Sequence, residues 1–285
     1  MKKWLYLLLV FLLTSCGMFK YEAGNSRKYA FNIEISDLNT SNAKDNEDGN
    51  LSFKIVSSLC LLDSNNTISD IELNATSINL GLTNTGIIKQ PKNLLDDKAK
   101  KDAYNMRLKS AIRKEWYEQI AAIEDSIINK KINQLSNDLL EKENIKAKAT
   151  IKLDPYLTSI NHSASKIVDL NNDIYKVVAS SKSEINILTK ANSKTEGKGI
   201  VSSYFAVIFL DSNMQVIDIV TDKIEQPFNF DHLGKWKNIT IVASKSESLD
   251  YSRYKGLSIE QLLSQLDTSN EYLEIIKLAA QKITL

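Results

Sequence analysis

Polar and apolar side chains alternate along the first third of the chain, a pattern typical of half-buried β-strands. Three such segments, at 29–38, 51–62 and 67–80, are rich in Ile and Leu. A polar stretch at 39–50 predicts a loop between the first two, and turn-forming residues at 63–66 join the last two. We therefore predict an antiparallel sheet built from consecutive strands.

The hydrophobic period lengthens to three or four residues between 92 and 143, which predicts a long amphipathic helical segment. Repeated steps of four rotate the apolar stripe by about 40° each around a helix that turns 100° per residue. The segment is therefore either one helix that curves over a sheet or two helices divided near Asp125 and Ser126. The apolar positions are Tyr104, Leu108, Ile112, Trp116, Ile120, Ile123, Ile127, Leu135 and Leu139.

The second half of the chain mixes the two kinds of pattern. Alternation predicts strands, and a longer period predicts a helix that is rich in Ser and Asn. The predicted elements are a strand at 146–153 that stops before Pro155, a helix at 163–190, a hairpin of 200–210 with 214–221, and a strand at 237–244.

Two short helices are expected near the C-terminus. Ser258 with Gln261, and Thr268 with Glu271, have the spacing of a capping box, in which side chains and backbone N–H groups satisfy each other. Strands followed by helix, twice over, give an α+β fold class. We identify no internal repeat, and the best candidate for an internal boundary lies at 143–148.

The first sixteen residues have the pattern of an export signal. Lys2 and Lys3 precede ten consecutive apolar residues at 4–13. A membrane-spanning helix needs about 20 apolar residues, whereas the apolar core of a signal peptide needs only about 7 to 15. This segment is therefore predicted to direct export and to be removed.

Leu13, Thr14, Ser15 and Cys16 follow the apolar run and resemble the lipobox of bacterial lipoproteins. The resemblance implies a signal peptide at 1–15, acyl chains on Cys16, a polar tether at 16–28 and a mature domain at 29–285. One acyl chain binds a bilayer only marginally, at about 0.8 kcal/mol per buried CH₂, so several chains on one cysteine give stable attachment.

Charge and cysteine content argue against two classes of protein, nucleic-acid-binding proteins and disulfide-bonded proteins. The chain carries 36 Lys and Arg against 35 Asp and Glu, a net charge of +1, so a strongly basic nucleic-acid-binding protein is unlikely. With Cys16 acylated, Cys60 is the one remaining thiol, and no intramolecular disulfide can form. Cys60 lies in an apolar run and is expected to be buried.

The sequence offers no recognisable catalytic or metal-binding motif. His162 and His232 lie in different segments, and no Gly-x-Ser-x-Gly nucleophile elbow is present. The segment Gly197-Lys198-Gly199 lacks the spacing of a phosphate-binding loop and is interpreted as a flexible turn. We therefore expect no cofactor, no metal and no enzymatic activity.

A basic stripe is the one candidate binding feature. Lys100, Arg107 and Lys114 are seven residues apart and would share one face of the predicted helix. Such a face can bind polyanions, while nearby carboxylates favour an ordinary solvated surface. Both interpretations stay open at this point.

The chain contains 32 Lys, 32 Ile and 26 Asn but only 4 Arg. Together with the Leu-Thr-Ser-Cys lipobox, this composition resembles the surface lipoproteins of borrelial spirochaetes. The resemblance implies an outer-membrane lipid anchor and a non-catalytic, adhesin-like surface antigen that binds host or envelope macromolecules. Because the tether is short for surface display, a periplasm-facing scaffold or assembly lipoprotein is the alternative.

Overall fold

Two antiparallel β-sheets lie face to face in the computed structural model, which describes residues 26–91, 94–135, 148–242, 249–267 and 269–283. The first sheet contains β1 (Lys28–Ser41), β2 (Gly49–Leu62), β3 (Ile68–Leu82), β4 (Ile88–Lys89) and β5 (Val168–Asp169), in the order β4-β3-β2-β1-β5. The second contains β6 (Lys176–Thr189), β7 (Gly197–Leu210), β8 (Val216–Phe230) and β9 (Trp236–Lys237), in the order β6-β7-β8-β9.

Helices cover the outer face of each sheet. The described helices are α1 (Asp97–Lys100), α2 (Trp116–Ile127), α3 (Asp154–Ser163), α4 (Ile259–Gln265) and α5 (Glu271–Gln281). Helices α2 and α3 pack on the first sheet, and α4 and α5 on the second. Single turns of 3₁₀-helix lie at Lys101–Tyr104, Ile132–Gln134, Ala164–Lys166 and Ser252–Tyr254.

Three apolar layers separate these four layers of secondary structure. Between the sheets, Tyr29 of β1 stacks on Phe209 of β7 with ring centroids 4.2 Å apart. Beneath α2, Trp116 and neighbouring aliphatic residues are buried against the first sheet. Beneath α5, Ile275 and Ile276 are buried against the second. Each sheet therefore buries both of its faces.

The two sheets are copies of one arrangement, displaced by 148 residues. Strands β1, β2, β3 and β4 recur as β6, β7, β8 and β9 with the same lengths and the same intervening gaps, so that Lys28 corresponds to Lys176 and Lys89 to Lys237. Eleven positions are identical over these 62 residues. The identical pairs are Lys28/Lys176, Ala43/Ala191, Gly49/Gly197, Leu62/Leu210, Asp63/Asp211, Ser64/Ser212, Asn65/Asn213, Asp70/Asp218, Ile71/Ile219, Gly86/Gly234 and Lys89/Lys237.

The turns of the two copies use the same hydrogen bonds. Asp63 Oδ1 accepts the N–H groups of Asn65 and Thr67, and Asp211 Oδ1 accepts those of Asn213 and Gln215. A carboxylate that holds two backbone N–H groups fixes such a turn locally. The Leu-Asp-Ser-Asn motif, present in both copies, is thus a turn signal that the sequence analysis did not recognise as a repeat.

The copies are related by an approximate two-fold rotation. A Cβ atom on Gly86 would lie 2.7 Å from His232 Cα, and one on Gly234 would lie 2.9 Å from Asn84 Cα. Because Asn84 corresponds to His232 and Gly86 to Gly234, these two contacts exchange under the rotation. Both glycines have φ of 74°, a conformation that side chains disfavour. The turn after β3 and the turn after β8 therefore pack against each other at the axis.

The structure confirms the α+β class and the antiparallel pairing. The strands predicted at 29–38, 51–62 and 67–80 are β1, β2 and β3, and the predicted hairpin is β7 with β8. Two short helices close the chain, and Ser258 and Gln261 form the expected capping box. Helix α5 is capped by Asn270, which accepts a hydrogen bond from Leu273 N–H. The predicted cap Thr268 lies outside the described residues.

The prediction of a long amphipathic helix at 92–143 is wrong for the residues that the structure describes. Asn105 and Arg113 have φ of 59° and 51°, and these left-handed conformations break the helix before α2. The stripe is buried along α2 and at Leu135, whereas Leu108 is 90 % exposed. The predicted boundary at 143–148 lies outside the described residues except for Lys148.

The helix predicted at 163–190 is also wrong, because 176–189 forms β6. Val177 faces the other sheet while Val178 is also buried, so burial on both faces hides the two-residue alternation. The strand predicted at 146–153 is absent from 148–153, and Pro155 lies in the first turn of α3, where its missing N–H is tolerated.

Three loop and strand predictions need smaller corrections. The predicted loop at 39–50 is shorter, because β1 runs to Ser41 and β2 starts at Gly49. The strand predicted at 237–244 reduces to β9 in the described part of that range. The segment 197–199 is not a turn: a Cβ on Gly197 would lie 2.3 Å from the Phe230 ring, so glycine allows this aromatic ring to cover the strand.

Candidate functional site

A small pocket opens between the sheets where β3 faces β6. Its volume is about 40 Å³. Four apolar side chains from β1, β2 and β7 line it, and Glu72 and Asn74 of β3 lie opposite Ala179, Ser180 and Ser181 of β6. The apolar residues are Phe31, Leu59, Phe205 and Val207. We refer to this cavity as the inter-sheet pocket.

The repeat explains why the inter-sheet pocket exists. Phe31 and Phe205 lie 6.5 Å apart, measured between ring centroids, and fill the layer between the sheets on one side of the two-fold axis. The corresponding residues on the other side are Ala179 and Ser57, which also line the pocket. On the β6 side of the axis, a methyl group and a hydroxymethyl group thus stand where the β1 side has two aromatic rings. The smaller groups leave a space that the β1 side does not have.

A buried ionic cluster adjoins the inter-sheet pocket. Lys98 Nζ lies 2.7 Å from Glu72 Oε1 and 2.8 Å from Glu124 Oε1, and the three side chains are 11 to 18 % exposed. Glu124 Oε1 also accepts the Leu73 N–H at 2.6 Å, which fixes α2 to β3. The repeat has Val220 where the first copy has Glu72, so the charge is a property of one copy alone.

Burial controls the protonation of this ionic cluster. Desolvation raises the pKa of Glu124 to about 8, and it raises the pKa of Glu72 despite the attraction of Lys98. Burial works against the Lys98 charge, but the two carboxylates raise the pKa of its ammonium group. Burial therefore favours protonation of the carboxyl groups while Lys98 opposes it, and the three groups titrate as a unit.

The free edge of β3 is closed by side-chain acceptors. Four alternate N–H groups, which have no strand partner along this stretch, bond to carboxylate or amide oxygens. The donors and acceptors are Ile71 to Asp70, Leu73 to Glu124, Ala75 to Asn74 and Ser77 to Asp97. Closing an edge in this way prevents it from pairing with another strand.

Strand β6, which faces β3 across the inter-sheet pocket, is less protected. It pairs with β7 on one side and with no described strand on the other. Within the described residues, one side chain bonds to its backbone, where Lys282 Nζ donates to the Ala179 carbonyl at 2.8 Å. The pocket therefore lies between a closed edge and an open one.

The structure does not bring the basic stripe onto one helix. Lys100 belongs to α1, Arg107 lies in a turn, and Lys114 precedes α2 in an extended segment. Lys100 pairs with Asp97 at 2.6 Å, and Arg107 pairs with Asp102 and Glu118. The prediction that these three residues share one helix face is wrong, because residues in the left-handed conformation interrupt the segment. Polyanion binding by these residues stays a prediction, and a common helix face no longer supports it.

The other sequence-predicted residues have simpler outcomes. Cys16 lies outside the described residues. Cys60 is fully buried, and burial raises the pKa of its thiol to about 12, as expected of a core residue. His232 lies in the turn before β9, and His162 pairs with Glu34 at 2.6 Å on the surface.

No group of three or more His, Cys, Asp and Glu side chains in the described ranges is placed to hold a metal ion. No described helix has both the length and the hydrophobicity to span a membrane.

Sequence analysis missed Lys98, Glu72 and Glu124 as a unit. Lys98 was one of several lysines near the predicted helix start, and Glu72 occupies a polar position of an alternating strand. Nothing local distinguishes them from solvated charges, because their burial depends on how α1 and α2 cross the edge of β3.

Glu124→Gln should weaken the pH dependence of stability. The raised pKa of Glu124 means that the folded state keeps a proton that the unfolded state loses above about pH 4.5, so stability falls as pH rises towards 8. The glutamine cannot titrate but can still accept the Leu73 N–H. We expect the loss of unfolding free energy between pH 5 and 8 to shrink by up to about 1.4 kcal/mol per pH unit, measured by denaturant titration.

Glu260→Gln, on the exposed side of α4, is the matched control for this titration. It should leave the wild-type slope unchanged. An identical slope in the Glu124 variant and the wild type would contradict the assignment of the proton to this ionic cluster.

Comparison of the chain with protein-family models, with curated proteins and with solved structures finds no match. A proposal of function therefore rests on the residues of the sequence and on the geometry of the described structure.

Proposed function

We propose that this protein is a lipid-anchored, non-catalytic protein of the bacterial cell envelope that binds host or envelope macromolecules. The observation that carries the proposal is the order of a charged start, ten apolar residues and Leu13-Thr14-Ser15-Cys16. Acyl chains on Cys16 would hold the domain at an outer-membrane surface. Macromolecular binding is supported by an open sheet edge beside a pocket, which is a common mode of protein recognition.

The start of the domain is tied into the fold close to the anchor. Ser26 is buried, its hydroxyl lies 2.5 Å from that of Ser69, and its carbonyl accepts the Ile174 N–H at 2.9 Å. Ten residues separate Cys16 from Ser26, a reach of at most about 33 Å when fully extended. The end of the sheets where β1 and β6 begin would therefore lie nearer the membrane.

A periplasm-facing scaffold or assembly lipoprotein is the second candidate. The short connection between Cys16 and Ser26 favours it, because a protein that must project through a surface layer benefits from a longer spacer. Protease treatment of intact cells separates the two orientations. Loss of the full-length protein supports surface display, and protection until the outer membrane is permeabilised supports the periplasmic orientation.

Cys16→Ala should abolish lipid attachment. The expected product is an uncleaved precursor that moves from the detergent phase to the aqueous phase in a detergent-partition assay, because the acyl chains that favour detergent are missing. Immunoblotting of both phases measures the shift. Cys60→Ala is the matched control and should leave partitioning unchanged. Detergent partitioning and normal processing of the Cys16 variant would refute the lipid anchor.

A further inference from the structure

We propose that the outer edge of β6, together with the inter-sheet pocket, binds an extended peptide segment of a partner protein that adds as a further strand to the second sheet. This inference deepens the binding part of the proposed function. Added strands gain affinity from main-chain hydrogen bonds and specificity from side chains that enter pockets on alternate sides.

The side chains of β6 leave room for such a segment. Towards the second sheet, β1 presents Phe31 and Ile33, whereas the corresponding residues of β6, which face the first sheet, are Ala179 and Ser181. The layer between the sheets is consequently filled beneath β1 and underfilled beneath β6. A strand alongside β6 would direct every second side chain towards this gap. A pocket of about 40 Å³ suits one small aliphatic side chain.

The charge beside the inter-sheet pocket indicates the composition of the segment. Glu72 lines the pocket, and Asp70 and Asp96 lie close enough to raise its pKa by repulsion. Lys98 offsets part of this negative charge from the β3 side, and Lys282, which bonds to the Ala179 carbonyl and the Ser180 hydroxyl, offsets part of it from the β6 side, so that three carboxyl groups face two ammonium groups. Electrostatic complementarity therefore favours a segment that carries Lys or Arg next to its pocket-filling residue.

A second copy of this chain fits the edge less well. Antiparallel pairing of β6 with itself would place the two β6 start points at opposite ends of the joined sheet. Ser26 bonds to Ile174, two residues before β6, so the two anchored ends would also point apart. Lipid anchors in one membrane favour both ends on the same side. The partner segment is therefore assigned to a different protein.

The test is selection from a random dodecapeptide library displayed on phage, using the lipid-free domain at 26–285. We expect clones with alternating aliphatic and basic residues. Ala179→Phe restores the ring that β1 has at Phe31 and should weaken binding of these clones at least tenfold without lowering the melting temperature. Asn186→Phe, an exposed position of β6 outside the inter-sheet pocket, is the matched control and should bind as the wild type does.

Synthetic peptides from the selected clones distinguish strand addition from other modes of binding. Methylation of alternate backbone nitrogens on the edge-facing side removes main-chain donors but keeps the side chains, and it should abolish binding. Bound peptide should slow amide hydrogen exchange in 176–189 and leave 28–41 unchanged. Ser57→Phe fills the inter-sheet pocket from the other wall and replaces Ala179→Phe should that variant unfold.

Three results would overturn the proposal. The first is a selection that yields no clone with preference for wild type over the pocket-filled variant. The second is equal binding of methylated and unmethylated peptides, and the third is a dimer of the lipid-free domain that Ala179→Phe dissociates. None of these results bears on Cys16, so failure of the peptide site is distinguishable from failure of the lipid anchor.

Discussion

Lys98→Met should lower the free energy of unfolding by about 3–5 kcal/mol at neutral pH, the typical cost of removing one partner from a buried ion pair. Glu72 and Glu124 would then lie in the same buried site without a counter-charge. Methionine keeps most of the lysine stem, so the loss reports the missing charge more than missing packing. Chemical denaturation at pH 7 measures the difference.

The destabilisation by Lys98→Met should diminish at low pH. With the ammonium gone, burial and mutual repulsion raise the pKa of both carboxyl groups further, so protonation removes their charge more readily as the pH falls. The variant should therefore approach the wild type in stability as the pH falls. Lys89→Met, which breaks the exposed pair with Asp48, is the matched control and should cost less than about 1 kcal/mol. Equal losses in the two variants would refute a buried ionic cluster.

Phe209→Ala should cost about 3–5 kcal/mol, as expected for the removal of a fully buried aromatic ring. Its ring stacks on Tyr29 across the two sheets. Tyr29 also donates to Asp218 Oδ2 at 2.9 Å, so this contact joins β1 to β8 as well as to β7. Removal of the ring should loosen the packing of one repeat against the other.

The repeat supplies the control for this substitution. In the first copy, Leu61 occupies the position that corresponds to Phe209. Phe209→Leu therefore introduces a side chain that the equivalent backbone position of the first copy already accommodates. We expect Phe209→Leu to lose less than half as much stability as Phe209→Ala. A similar loss in both variants would show that the stacked geometry, rather than buried volume, determines the contribution of this residue.

Local signals account for the elements that sequence analysis predicted correctly. The alternation of apolar and polar residues is visible in the sequences of β1, β2 and β3, because the two faces of each strand differ in polarity over most of its length. The capping box of Ser258 is likewise a contact among residues three apart. Such features require no knowledge of distant parts of the chain.

The repeat escaped detection for a physical reason. What the two copies preserve is strand length, turn geometry and burial, and these are compatible with many side chains. Phe31 and Ala179 occupy equivalent positions, as do Glu72 and Val220. The identical residues are concentrated in turns, where Asp63 and Asp211 must accept the same backbone N–H groups.

The sequence by itself determined the strands of the first sheet and the α+β class, because each depends on the order of neighbouring residues; the export signal before Cys16 is a prediction of the same local kind. Only the tertiary structure decided that 176–189 is a strand, that Lys98 is buried between two carboxyl groups, and that a pocket opens beside Ala179. These features depend on which surfaces meet, across the two sheets for the pocket and between the helices and the edge of β3 for Lys98. Residues distant in the sequence set side-chain volume and solvent exclusion at such contacts, 26 positions apart for Lys98 and Glu124, so no local pattern encodes them.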